Sequence, residues 1–261
     1  MNHHDIIKPI GLAAPCKEIE NTCRNAHMYK RCSLRPKHYI VPLDSGSGRT
    51  ILVEYMTDMY KESGVLSFTG GLDDYIEITF DGTLQQLRQA FATIDSAAVY
   101  ANEYCGIIGM DISNISAHLG ETQLTEFMKN CKRVCESASV IFFVHTTPSR
   151  NEEKLLEKLC ETVDNIKRLE VKPYTKEDIC ALTIKMIKEH GIEIKNENTF
   201  RAILVDMASE FRISRVKDAI LTADELVRFA DFSGFTPAVD ENSLKSMITG
   251  WHNDAERSEM K

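Results

Sequence analysis

Two glycines, a cation and a hydroxyl carry the clearest chemistry in this chain. They lie in Tyr39-Ile40-Val41-Pro42-Leu43-Asp44-Ser45-Gly46-Ser47-Gly48-Arg49-Thr50. The stretch predicts a short buried strand, a glycine turn and the start of a helix over Thr50–Tyr60. That is the context a phosphate-binding loop requires. Gly46 and Gly48 let the backbone turn tightly and bring N–H groups close to an anion. The helix behind them points its positive end at the same place. The usual pattern is G-x-x-x-x-G-K-[ST]. Gly48 and Thr50 match it, while Leu43 stands where the first glycine belongs and Arg49 replaces the lysine. The alternative is a plain strand–turn–helix with no ligand, in which Thr50 caps the helix and Arg49 is solvated.

The elements that must position this loop follow from periodicity. A helix over Cys16–Tyr29 precedes a strand over His38–Pro42. After the loop helix, a strand begins at Val65, Thr69–Asp74 turns, and Tyr75–Phe80 alternates as a half-buried strand does. Thr83 caps a helix to about Asn102. The continuous apolar run Cys105–Asp111 reads as a central strand of a parallel sheet, and Ser139–Val144 reads the same way. Helices over Thr122–Ser137 and Asn151–Val163 and a strand over Ile166–Val171 complete a βαβα alternation, which implies a parallel sheet with helices on both faces. After Pro173 the pattern becomes helical. Thr175 and Asp178 form a capping box, and Gly191 ends that helix near His190. Helices over Glu197–Phe211, Ser214–Phe232 and Asn242–Trp251 follow, with a polar frayed tail. The domains expected are residues 1–173, α/β, and 174–261, all-α.

Composition sets the outer limits. The chain has 261 residues and a net charge of −8. That balance argues against a general nucleic-acid binder, whose affinity comes from Lys and Arg on phosphates. No apolar run is long enough to span a membrane, and the N-terminus Met-Asn-His-His-Asp has no charged-then-apolar signal pattern. The eight cysteines therefore read as reduced thiols in a cytoplasm. Cys16, Cys23, His27 and Cys32 fit no common zinc spacing, and Cys131 and Cys135 share a helix face as buried small residues.

An α/β domain opening with a phosphate loop, followed by a small helical domain, resembles the AAA+ ATPases over nearly the whole chain. Ile10-Gly11-Leu12 resembles the family's entry segment beside the adenine. Leu43–Thr50 stands where Walker A does, Gly106–Asp111 where Walker B does, and Val144–Thr147 where the sensor-1 residue follows its strand. Lys172–Asp178 resembles the opening of the lid, which Ile192-Glu193-Ile194 and the helix after Arg212 continue. The lid looks most like the CbxX/CfqX type. The resemblance implies a P-loop NTPase-like parallel sheet with a helical lid. It implies ATP or ADP, held by Gly11, Gly46, Ser47, Gly48, Arg49, Thr50, Thr146 and Arg215, with Mg²⁺ on Thr50 and Asp111. It also implies a protein partner or other AAA+ subunits. Each residue keeps a plainer alternative: Asp111 a strand-end carboxylate, Thr146 or Thr147 a turn residue, Arg215 a surface arginine.

The departures bear on activity. Walker B ends in Asp-Glu, whose Glu orients the attacking water; here Ile112 follows Asp111. Arg49 keeps the lysine's charge but is wider and planar. Cys160-Glu161-Thr162-Val163-Asp164 supplies no arginine finger. Three functions follow. One is nucleotide binding with weak or absent hydrolysis. The second is an active ATPase using Glu121 or Glu103 instead. The third is a scaffold that keeps only the fold.

Overall fold

The computed structural model describes residues 6, 8–26, 28, 37–65, 75–79, 92, 106–115, 120–234 and 236–259. The helix expected from Thr83 to Asn102 falls outside them save for Ala92. So do Leu66–Phe68, Thr69–Asp74, His27, Cys32, Glu103 and Cys105. The chain divides into two compact units, Met1–Val171 and Lys172–Lys261.

Unit 1 is built on five parallel strands: β1 (His38–Pro42), β2 (Tyr75–Thr79), β3 (Ile107–Asp111), β4 (Ser139–Val144) and β5 (Ile166–Arg168). Their order across the sheet is β2-β3-β4-β1-β5. The three middle strands are the near-continuous apolar runs, because helices must cover both faces of a parallel sheet. Every residue of β3 and β4 is buried. The expected strand Ile166–Val171 shortens to three residues. It is an edge strand paired with β1 alone, and its Lys167 and Arg168 side chains face solvent.

Among the described residues, four helices accompany the sheet: α1 (Ala13–Arg24), α2 (Arg49–Ser63), α3 (Glu121–Ser137) and α4 (Arg150–Thr162). α1 begins three residues earlier than the spacing predicts. Pro15 sits in its first turn, where a missing N–H costs nothing. α3 and α4 seal one core with Phe127, Cys131, Leu155 and Leu159 against Ile108, Val140 and Phe142. Cys131 and Cys135 are buried there. Cys16 and Cys23 are buried on α1, and burial pushes the Cys16 thiol up to about 12. No group of three or more metal-ligating side chains occurs among the described residues.

Unit 2 contains α5 (Lys176–Glu189), β6 (Glu193–Ile194), α6 (Glu197–Glu210), α7 (Val216–Arg228), β7 (Ala238–Val239) and α8 (Glu241–Glu259). The capping box forms as its residues dictate. The Asp178 N–H donates to the Thr175 hydroxyl at 3.1 Å, and the Thr175 N–H donates to the Asp178 carboxylate at 2.9 Å. Two expectations are corrected. β6 and β7 form a short parallel pair, so this unit is not wholly helical. The tail expected to fray continues α8 as helical backbone to Glu259.

Candidate nucleotide site

The loop leaves β1 under constraint from β4. The Leu43 N–H donates to the Val144 carbonyl at 2.9 Å, extending the ladder past Pro42. The Leu43 side chain is buried, so the position that usually holds a glycine here contributes to the core. The chain then turns through Gly46 at φ +78° and Gly48 at φ +91°. Both angles lie in the left-handed region that glycine enters without cost. Between them, the buried Ser47 donates its N–H to the Asp44 carbonyl at 3.1 Å. Gly48 is the N-cap of α2, and no side chain caps that helix.

α2 lies close on the sheet face that carries the carboxylates. A Cβ built on Gly109 would stand 2.7 Å from Val53 Cγ2, so the absent side chain is what admits the helix. Gly109 and Asp111 share a face of β3, and Gly109 is in register with Glu77 on β2. Arg49, the first residue of α2, is thereby carried to the end of β3.

Six contacts define the centre. Arg49 Nη1 donates to Asp111 Oδ2, and Arg49 Nε donates to the Leu43 carbonyl. The guanidinium carbon lies 5.5 Å from the Phe143 ring centroid, within cation–π range. The side chains of Arg49 and Asp111 are 12% and 10% exposed, so this ion pair is largely withdrawn from water. The other Asp111 oxygen accepts from Ser113 N at 3.1 Å and Ser113 Oγ at 2.6 Å. Thr50 Oγ1 donates to Glu77 Oε2 at 3.0 Å.

The loop after β4 is tied to the same place. Thr146 donates both its N–H, at 3.1 Å, and its hydroxyl, at 2.7 Å, to the Asp44 carboxylate. Partial burial pushes the Asp44 carboxyl up, but these two bonds outweigh it, and His145 and Arg49 help hold it below the usual carboxylate range. His145 in turn donates its N–H to Glu152 at 2.9 Å, and its ring nitrogen Nδ1 lies 3.0 Å from the same carboxylate. Glu152 is 1% exposed and closes the capping box of α4 with Ser149. A buried glutamate thus sets the path of the loop carrying Thr146.

The structure brings Arg49, Thr50, Asp111 and Thr146 around the loop, with Arg49 bonded to Asp111, Thr50 to Glu77 and Thr146 to Asp44. Gly46, Ser47 and Gly48 form the turn beside them. Gly11 lies in the turn entering α1. Arg215 belongs to unit 2, where it is the N-cap of α7 and pairs with Asp218 at 3.1 Å. Ile112 is fully buried, and its N–H donates to the Phe143 carbonyl at 2.9 Å.

No family model matches the sequence, and no curated protein matches it. Solved structures do match. A RuvB variant of Thermotoga maritima superposes with a TM-score of 0.58 at 11% identity, covering 93% of this chain and 70% of that one. PCH-2 of C. elegans gives 0.57 at 12% identity, covering 92% and 67%. Domain III of the Thermotoga maritima replication initiation protein DnaA gives 0.54 at 14% identity, covering 94% and 93%. All three are AAA+ ATPases.

The chain has the AAA+ fold. At these identities the likeness is one of fold. Within the AAA+ architecture the Leu43–Thr50 loop lies beside the carboxyl ends of β3 and β4, the side of an open α/β sheet where ligands bind.

Sequence reasoning missed Glu77, Asp44 and Glu152 as members of this neighbourhood. Alternation along Tyr75–Thr79 does put Glu77 opposite Ile78, but nothing in the sequence places β2 beside β3. For Glu152 the signal was present: Ser149 and Glu152 have capping-box spacing.

Proposed function

We propose that the chain is an AAA+-type module that binds ATP or ADP on the Leu43–Thr50 loop and hydrolyses it weakly or not at all. The observation that carries this reading is the loop itself. It turns through two left-handed glycines straight into a helix with no side-chain cap, beside a largely buried cation. Backbone N–H groups of the loop and the first turn of α2 would receive phosphate oxygens, and Thr50, Arg49 and Thr146 would border them. Phosphoryl transfer depends on positioning and electrostatic stabilisation. Ile112 offers no group to orient water, and its side chain lies in the core.

A nucleotide-free scaffold is the second reading. The Arg49–Asp111 pair favours it, because each charge already has its partner. RuvB is described as a Holliday junction branch migration motor, and DnaA as a replication initiation protein. Those activities are theirs. A net charge of −8 gives this chain no broad attraction to nucleic-acid phosphates. Among the described residues no helix is long and apolar enough to cross a membrane.

Phosphate release with saturating ATP tests the proposal. The expected rate lies far below about 1 s⁻¹, the low end of ordinary enzyme turnover. A rate at or above that value would favour an active ATPase using Glu121, Glu103 or Glu77.

A further inference from the structure

The AAA+ fold implies Mg²⁺ held by the loop hydroxyl and the carboxylate ending β3, here Thr50 and Asp111. The donor chemistry of these residues does not fit that ion. Mg²⁺ requires near-octahedral oxygen ligands at about 2.0–2.1 Å. Asp111 Oδ2 is engaged by Arg49, and Oδ1 accepts two bonds from Ser113. Thr50 Oγ1 is turned to Glu77.

Displacing Arg49 is costly for two reasons. Its guanidinium is fixed at three points: the Leu43 carbonyl, the Asp111 carboxylate and the Phe143 ring. A dication beside the same carboxylate also repels a guanidinium that never deprotonates, and the repulsion is strong where water is excluded. A lysine could swing away on its flexible stem, whereas the planar fork of Arg49 is held by its own geometry.

We infer that Asp111 serves to hold Arg49 rather than a divalent ion, and that the loop takes a nucleoside diphosphate without metal. The backbone N–H groups of the loop and the outer N–H groups of Arg49 then take the phosphate oxygens. This rests on the reading above, that the Leu43–Thr50 loop is a nucleotide site. The preference for a diphosphate follows from charge. Asp44 and Glu77 border the loop as carboxylates, and a single guanidinium offsets fewer phosphate charges than a guanidinium with a dication. Each added phosphate therefore costs more here than in a metal-loaded site.

The test is titration calorimetry with ADP on the full chain, once in saturating Mg²⁺ and once in excess EDTA. The expected result is ADP binding in both, with affinities differing less than tenfold. ATP in EDTA should bind more weakly than ADP, and Arg49→Ala should lose at least tenfold in ADP affinity in EDTA with its circular dichroism unchanged. ADP binding that tightens tenfold or more with Mg²⁺, about 1.4 kcal/mol, would overturn the metal-free site and leave the nucleotide site standing. Tighter ATP than ADP in EDTA, or a well-folded Arg49→Ala that binds ADP as the parent does, would overturn it too. Binding in neither buffer would remove the underlying reading along with it.

Discussion

Ile112 and Asp111 are neighbours in sequence with opposite environments. Asp111 meets Arg49 and Ser113, whereas Ile112 points into the core between the sheet, α3 and α4. Restoring a water-orienting glutamate is thus no simple exchange. Ile112→Glu would place a carboxylate where there is no water, and an unpaired buried charge costs several kcal/mol or shifts its pKa upward until it is neutral. The expected outcome is a protein destabilised by about 3 kcal/mol or more, seen as a lower denaturant midpoint, with hydrolysis no faster. A variant as stable as the parent that hydrolyses ATP faster would mean that position 112 opens to the nucleotide. The identity of the residue after Asp111 was legible in the sequence. Its direction was not, because adjacent residues at a strand end diverge according to what the following turn does.

Among the elements, α2 and β3 do most to build the site, and their separation is set by Gly109. A side chain there would press on Val53 at a distance that real Cβ atoms do not reach. Gly109→Val is therefore expected to push α2 off the sheet, costing about 1–3 kcal/mol. In a chain of this size that lowers the calorimetric melting temperature by roughly 2–4 °C per kcal/mol. Gly250→Ala is the control. It lies within α8, a Cβ there meets nothing within 4 Å, and alanine favours helix over glycine by about 1 kcal/mol. Equal melting temperatures for Gly109→Val and its parent would mean that the helix is not held by this approach. Periodicity and caps made β1, β3, β4, α4 and α5 legible to within a residue or two. The shortened β5 was not, because an apolar pattern cannot say which strand lies at the sheet edge. The β6–β7 pair was not, because its members are two residues each and find each other across a long sequence separation.

For the molecule as a whole, the sequence alternates strand and helix before Pro173 and turns helical after it, and the structure divides into Met1–Val171 and Lys172–Lys261. The sequence did not show that Arg49 of the glycine loop and Asp111 of β3 are paired with each other. The chain carries a net charge of −8, so its long-range field repels a nucleotide weakly and salt screens that repulsion. Affinity must then come from the loop itself. The most direct measurement is titration of the purified chain with ATP and ADP by calorimetry, with Gly48→Val in parallel. Gly48 sits at φ +91°, where a β-branched residue is strained and its methyl groups fill the space of an approaching phosphate, so folding is followed by circular dichroism. The account predicts saturable binding by the parent and none by a folded Gly48→Val. No binding by the parent, or equal binding by the variant, would contradict it.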